Sequence, residues 1–94
     1  MQKVYFDNAA TTPISKVVAE YMHEANLELY GNPSSTHSFG RKSRATIEMA
    51  RKNISGIIHA NPNEIMFTSG GTEANNTVFH AAVNDLKIER VITS

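Results

Sequence analysis

The 94-residue sequence predicts an α/β fold, in which an N-terminal arm and two helices precede one strand–helix–strand unit. Two observations support this prediction. Apolar residues recur at steps of three and four in residues 15–29 and 40–58, which is typical of amphipathic helices. Two short apolar runs, at 64–68 and 90–93, then flank a glycine loop and a third helical pattern. This order predicts a βαβ unit with parallel strands and a right-handed crossover.

The whole chain, residues 1–94, is expected to form part of a single domain. It divides into an arm at 1–14, a helical part at 15–60 and the βαβ unit at 64–94. A hydrophobic content of 40% is enough for one small globular domain, but the length is short for a complete enzyme with a buried cofactor site.

Local signals place the ends of the predicted helices. Ser15 can cap the first helix, and Gly31 follows its end. The segment after Gly31 is expected to be a loop, because Pro33 fixes its own φ and disfavours helix at the residue before it. The second helix is expected to pair Arg44 with Glu48 one turn apart. A third helix is predicted at about 72–84, with these residues buried: Ala74, Val78, Ala81 and Ala82.

Composition narrows the range of functions. Nine basic and nine acidic residues give zero formal net charge, so no overall field favours nucleic acid or an anionic membrane. The chain has no cysteine, hence no thiolate metal site and no thiol nucleophile. Neither a signal peptide nor an apolar run of about 20 residues is present. We therefore expect a cytoplasmic protein with a small-molecule or protein partner, no bound metal and no membrane span.

A glycine loop lies where the predicted strand meets the third helix. The first N–H groups of a helix lack intrahelical partners and the helix dipole is positive there, so anions bind. Gly70 and Gly71 leave these N–H groups accessible, and the hydroxyls of Ser69 and Thr72 can donate further bonds to a phosphate monoester. The loop matches neither the P-loop nor the dinucleotide fingerprint. The alternative is that Ser69 or Gly70 merely caps the helix and the glycines merely turn the chain.

Three segments resemble the start of the cysteine desulfurases, which form part of the class V aminotransferase branch of fold type I pyridoxal-phosphate (PLP) enzymes. The segments are YFDNAATTP at 5–13, GNPSSTHSFGR at 31–41 and EIMFTSGGTEANN at 64–76. Their order and spacing match the family, and the resemblance extends from about Val4 to Ser94. It implies that the chain is a fragment of the large domain of a PLP transferase.

The resemblance also implies a set of site residues. Gly70, Gly71 and Thr72 would hold the PLP phosphate, while Asn8, Ala10 and Asn32 would border the substrate. On residue chemistry alone, turn formation explains the two asparagines equally well.

Further residues near these motifs have open roles. His37 and Arg41 match the family's loop pattern, but a lone loop histidine is more often structural or solvated than catalytic. The helix dipole stabilises the negative charge of Glu73, but this charge would repel a nearby phosphate. Asn75 and Asn76 are explained either by an exposed polar face or by a contact near the cofactor.

The implied function is conversion of L-cysteine to L-alanine, with sulfur transfer to an enzyme cysteine for iron–sulfur cluster or thio-cofactor supply. The chain contains no such cysteine and no lysine in the family's cofactor-binding context, so we expect it to be inactive alone. A homo-oligomer and a sulfur-acceptor protein are the implied partners. Three alternatives stay open: another class V enzyme such as a selenocysteine lyase, a non-catalytic interaction module, and a nucleic-acid binder using the basic face of the second helix.

Overall fold

A computed structural model describes residues 1–93. The chain forms two compact units, Met1–Arg51 and Lys52–Ser94. Ser94, the last residue of the predicted βαβ unit, lies outside the described residues. The regular elements are helix α1 (Lys16–Glu28), helix α2 (Ser38–Ile57), a 3₁₀ turn (Pro62–Glu64), helix α3 (Gly71–His80) and a π-helical turn (Ala81–Asp85).

The three predicted helices are present. Ser15 caps α1 as expected, because its Oγ accepts a hydrogen bond from the N–H of Val18 at 3.4 Å. At the other end of α1, the N–H of Leu29 donates to the carbonyl of Ala25 at 2.8 Å. The third helix is interrupted earlier than predicted, since α-helical geometry gives way to the π-helical turn after His80.

The predicted α/β class is wrong for the described residues, because residues 1–93 contain helices and turns but no strand. The runs at 64–68 and 90–93 therefore do not form the predicted βαβ unit. Local preference was correct at Ile65, whose φ of −99° and ψ of 120° are extended. A strand also requires a continuous backbone ladder to a neighbour, and runs of four or five residues make a marginal pair.

The loop between α1 and α2 packs closely on the start of α2. A Cβ on Gly40 would lie 2.5 Å from the carbonyl oxygen of Asn32 and 2.6 Å from that of Ser35. A Cβ on Gly31 would overlap the backbone carbonyl of Phe39. Only glycine fits either position without a shift of backbone, so both glycines are required by the packing of this loop.

Apolar side chains are poorly covered throughout the described part of the chain. None of those in residues 1–93 is buried, and Val78, predicted to be buried in the third helix, is 68% exposed. On α1, Val18 remains half exposed, although Ala25 on the same face is partly covered. Helical periodicity therefore predicted the helices but not which of their residues are buried, because burial depends on what packs against them.

Candidate functional site

Two hydrogen bonds from Ser69 to Glu73, called the clasp below, link the glycine loop to the start of α3. Gly70 is the residue before α3, and Gly71 is its first residue. Ser69 donates from both its backbone N–H (2.8 Å) and its hydroxyl (2.5 Å) to one carboxylate oxygen, Oε2 of Glu73. The carbonyl of Gly70 accepts the first helical bond, from the N–H of Ala74 at 3.1 Å. The clasp therefore spans both glycines and closes the turn into the helix.

The first N–H groups of α3 have no acceptor among the described residues. No backbone or side-chain acceptor in residues 1–93 is bonded to the N–H of Gly71, Thr72 or Glu73. This is the usual condition of an α-helix start, where the dipole is also positive. The hydroxyl of Thr72 likewise makes no hydrogen bond within this part of the chain. These donors are available to an anion.

Neither glycine of the loop is required by the packing of the protein itself. A Cβ added to Gly70 or to Gly71 would meet no atom within 4 Å, and neither residue lies in the left-handed region of backbone conformation. Gly70 is fully extended, with φ 171° and ψ −178°. The space beside the loop is thus open, as binding of a ligand to the backbone requires.

Hydrogen bonds from Ser69 favour the charged form of the Glu73 carboxyl group. Its pKa lies below the ordinary value because the hydroxyl of Ser69, and then the N–H of Ser69, donate hydrogen bonds to the carboxylate. The negative charge sits in the first turn of α3, where the helix dipole favours it.

An open groove of about 830 Å³ runs along one face of α3. Ser69 and Thr72 lie at one end of its lining, and Asn76 follows one turn along the helix. The remaining residues that line the groove are Met66, Glu73, Thr77, His80, Ala81 and Asp85. Asn76 is thus exposed toward the same groove as the loop.

His80 and Asn84 form a contact that the sequence did not indicate. The Nδ2 of Asn84 and the Nδ1 of His80 lie 2.8 Å apart, within hydrogen-bond distance. The contact joins the end of α3 to the π-helical turn. His80 and Asn84 have the four-residue spacing of helical neighbours, but the sequence predicted neither this contact nor the change from α- to π-helical geometry.

The three residues predicted to border the substrate lie in turns of the first unit. Asn8 and Ala10 share one turn, in which the N–H groups of Ala10 and Thr11 donate to the carbonyl of Asp7. The side-chain oxygen of Asn32 accepts from the N–H of Ser34 at 2.9 Å, which is an Asx-type turn. The structure thus gives Asn32 the turn-forming role that its residue chemistry allowed.

His37 and two cations of α2, Arg41 and Arg44, have structural contacts. The Nδ1 of His37 accepts from the N–H of Gly40 at 3.2 Å, so the ring caps the start of α2. Arg41 donates to the carbonyl of Thr36. The predicted Arg44–Glu48 pair is wrong, because the Nε of Arg44 donates to the carbonyl of Pro33 at 2.7 Å.

Two further cations on the basic face of α2, Lys42 and Arg51, also have partners. Glu48 pairs with Arg51 at 3.2 Å instead of with Arg44, and Lys42 pairs with Glu28 of α1 at 3.1 Å. These contacts pair much of the positive charge on α2 that a nucleic-acid binder would require. Within residues 1–93, no helix is long and apolar enough to span a membrane, and no three His, Cys, Asp or Glu side chains are grouped to hold a metal ion.

Comparison with known proteins identifies the class. Residues 4–93 match the family described as aminotransferase class V. The chain therefore belongs to this family, whose members are PLP-dependent enzymes.

Named relatives within this family fall into two groups. The cysteine desulfurase IscS of Dictyoglomus turgidum is 48% identical over 99% of this chain and 24% of its own length. The cysteine desulfurase IscS of Neisseria gonorrhoeae is 47% identical over 89% of this chain and 21% of its own. The selenocysteine lyase of Bos taurus is 48% identical over 87% of this chain and 19% of its own. The chain thus spans a quarter or less of the length of these curated relatives.

Proposed function

We propose that this chain supplies the phosphate-binding loop of a PLP-dependent cysteine desulfurase, which converts L-cysteine to L-alanine and transfers the sulfur to an enzyme cysteine. One observation carries the proposal: the N–H groups of Gly71 and Thr72 have no acceptor among the described residues, in a chain that belongs to a PLP-dependent family. The similarity to cysteine desulfurases over nearly the whole chain supports this choice of reaction.

The residues present suit the phosphate end of the cofactor. The N–H groups of Gly71 and Thr72 and the hydroxyl of Thr72 would donate to phosphate oxygens, aided by the positive end of α3. The absence of side chains at Gly70 and Gly71 keeps the approach open. The hydroxyl of Ser69, in contrast, is already bonded to Glu73 and would not contribute. Bound PLP supplies the electron sink for cleavage of bonds in the amino-acid substrate.

Asn8, Ala10 and Asn32 are proposed to border the substrate, on the basis of their matching family positions. The side-chain oxygen of Asn32 is already an acceptor for Ser34, so its amide nitrogen is the group left to donate to a substrate carboxylate. Because the chain has no cysteine, the thiol that accepts sulfur is not one of its residues. We therefore expect no turnover from these 94 residues alone, which an assay for alanine and sulfide would check.

The proposal is tested by titrating the ¹⁵N-labelled 94-residue chain with inorganic phosphate and with PLP, followed by NMR. We expect shift changes concentrated at the amides of Gly71 and Thr72, with weak affinity because only part of the cofactor's contacts is present. Sulfate, a dianion of similar shape, serves as a comparison for specificity. Unchanged amides at saturating phosphate would refute a phosphate site and favour a capping role for the loop within an interaction module.

A selenocysteine lyase is the second candidate, favoured by 48% identity to the Bos taurus enzyme over 87% of the chain. The two candidates differ in the atom removed from the substrate. A full-length enzyme carrying this segment should release alanine from L-cysteine if the desulfurase proposal is correct. Release of alanine from L-selenocysteine alone would instead identify the lyase.

Self-association and a cytoplasmic location stay predictions, and analytical ultracentrifugation would test the first.

A further inference from the structure

The clasp between Ser69 and Glu73 differs from the usual helix cap by one residue. In a capping box, the carboxylate of the third helical residue accepts from the N–H of the residue that caps the helix. Here the cap is Gly70, but the carboxylate of Glu73 reaches past it to both donors of Ser69, at 2.8 and 2.5 Å. The Glu73 side chain therefore links Ser69, which precedes the two glycines, to the helix that follows them.

The bridged segment has little else to fix it. No atom lies within 4 Å of a Cβ placed on Gly70 or Gly71, and glycine loses more conformational freedom on ordering than any other residue. The carbonyl of Gly70 does accept bonds from Thr68 Oγ1 and from the N–H of Ala74, both at 3.1 Å. Glu73 adds the link that joins the residue before the glycines to the helix after them.

The clasp leaves the proposed phosphate donors vacant. The carboxylate is bonded to Ser69 rather than to the N–H groups of Gly71 or Thr72, so it does not take the place of the phosphate. Its negative charge nevertheless lies in the first turn of α3 and opposes a second anion. Glu73 thus acts on phosphate binding in two opposite ways, and a suitable pair of variants separates them.

We propose that Glu73 is a positioning residue for the phosphate site: by holding both donors of Ser69, it fixes the glycine loop so that the N–H groups of Gly71 and Thr72 stay available to the phosphate. This inference rests on the proposed function.

Two variants of the 94-residue chain test the inference, Glu73→Gln and Glu73→Ala. Glutamine keeps a side-chain oxygen that accepts from Ser69 but removes the charge, whereas alanine removes both. Glu24→Gln, in α1, is the matched control for the change in net charge. Circular dichroism establishes that helical content is retained, and the glutamine variant keeps the test valid if the alanine variant loses α3.

Two readouts are measured for each variant. The first is hydrogen exchange of the Ser69 amide without ligand, which we expect to be faster in Glu73→Ala and unchanged in Glu73→Gln. The second is the affinity for inorganic phosphate, followed at the amides of Gly71 and Thr72. We expect roughly five-fold weaker binding in Glu73→Ala, because both hydrogen bonds to Ser69 are lost and removal of the opposing charge offsets part of their net contribution. Glu73→Gln should bind at least as tightly as the unsubstituted chain.

The outcomes distinguish this inference from the proposed function. Tighter phosphate binding in both Glu73 variants would show that the residue acts only through its charge, and equal binding in all chains would show no coupling. Either result, or unchanged exchange at Ser69 in Glu73→Ala, overturns the positioning role alone. A lack of phosphate-induced shifts in the unsubstituted chain would overturn the proposed function, and with it the site that Glu73 is proposed to serve.

Discussion

Substitution of Gly40 by alanine tests whether close backbone packing holds the loop between α1 and α2. The added Cβ would lie 2.5 Å from the carbonyl oxygen of Asn32, about 1 Å short of ordinary van der Waals contact. Overpacking of this kind costs about 1–3 kcal/mol. Gly56, which also lies in α2, is the matched control, because a Cβ there meets nothing within 4 Å.

The comparison of the two alanine variants removes the contribution of helix propensity. Alanine gains up to about 1 kcal/mol over glycine inside a helix, a gain available to Gly56→Ala without a clash. Urea unfolding followed by circular dichroism should therefore place Gly40→Ala about 1–3 kcal/mol below Gly56→Ala. Equal stability of the two variants would refute the packing argument. Amide shifts of Ser35, whose N–H donates to Asn32 at 3.0 Å, report the same disruption locally.

The remaining predictions concern a helix cap and a carboxylate. Ser15→Ala should destabilise α1 by about 1 kcal/mol, because the N–H of Val18 loses its acceptor, while Ser15→Asn should keep the cap; equal loss of helicity in both would contradict this. The clasp should be complete above the ordinary pKa of a glutamate and should be lost as the pH falls through the lowered pKa of Glu73. The Ser69 amide shift measures this transition, and its persistence in Glu73→Gln would refute the assignment of the transition to Glu73.

The sequence was informative about the helices because their signals are local. Ser15 caps α1 through a residue three positions away, and the apolar period requires only a few turns of chain. The strands were wrong for the opposite reason. Ile65 is extended, but strand formation depends on pairing with a separate segment, which no run of five residues encodes by itself.

Side-chain partners were predicted less well than helix positions. Arg44 and Glu48 have the spacing of an ion pair, yet each has a different contact, with the carbonyl of Pro33 and with Arg51. Exposed ion pairs are weak, so a nearby carbonyl or a second cation readily displaces them. The clasp on Ser69 was missed for a related reason. Ser69 and Glu73 are one residue further apart than the two residues of a capping box, so the sequence did not indicate the bond that the structure shows between them.

The glycines show how a structure separates residues required by the fold from residues available for function. Gly31 and Gly40 lie against backbone carbonyls, and any side chain there would displace the loop. Gly70 and Gly71 have open space beside them and do not adopt a left-handed backbone conformation, so the packing of this chain does not explain why both lack side chains. A ligand that approaches the backbone would explain it, because a Cβ would occupy the space that the ligand needs. Packing therefore accounts for the first pair, whereas the second pair leaves room for a phosphate to reach the unbonded N–H groups of Gly71 and Thr72 that carry the proposal.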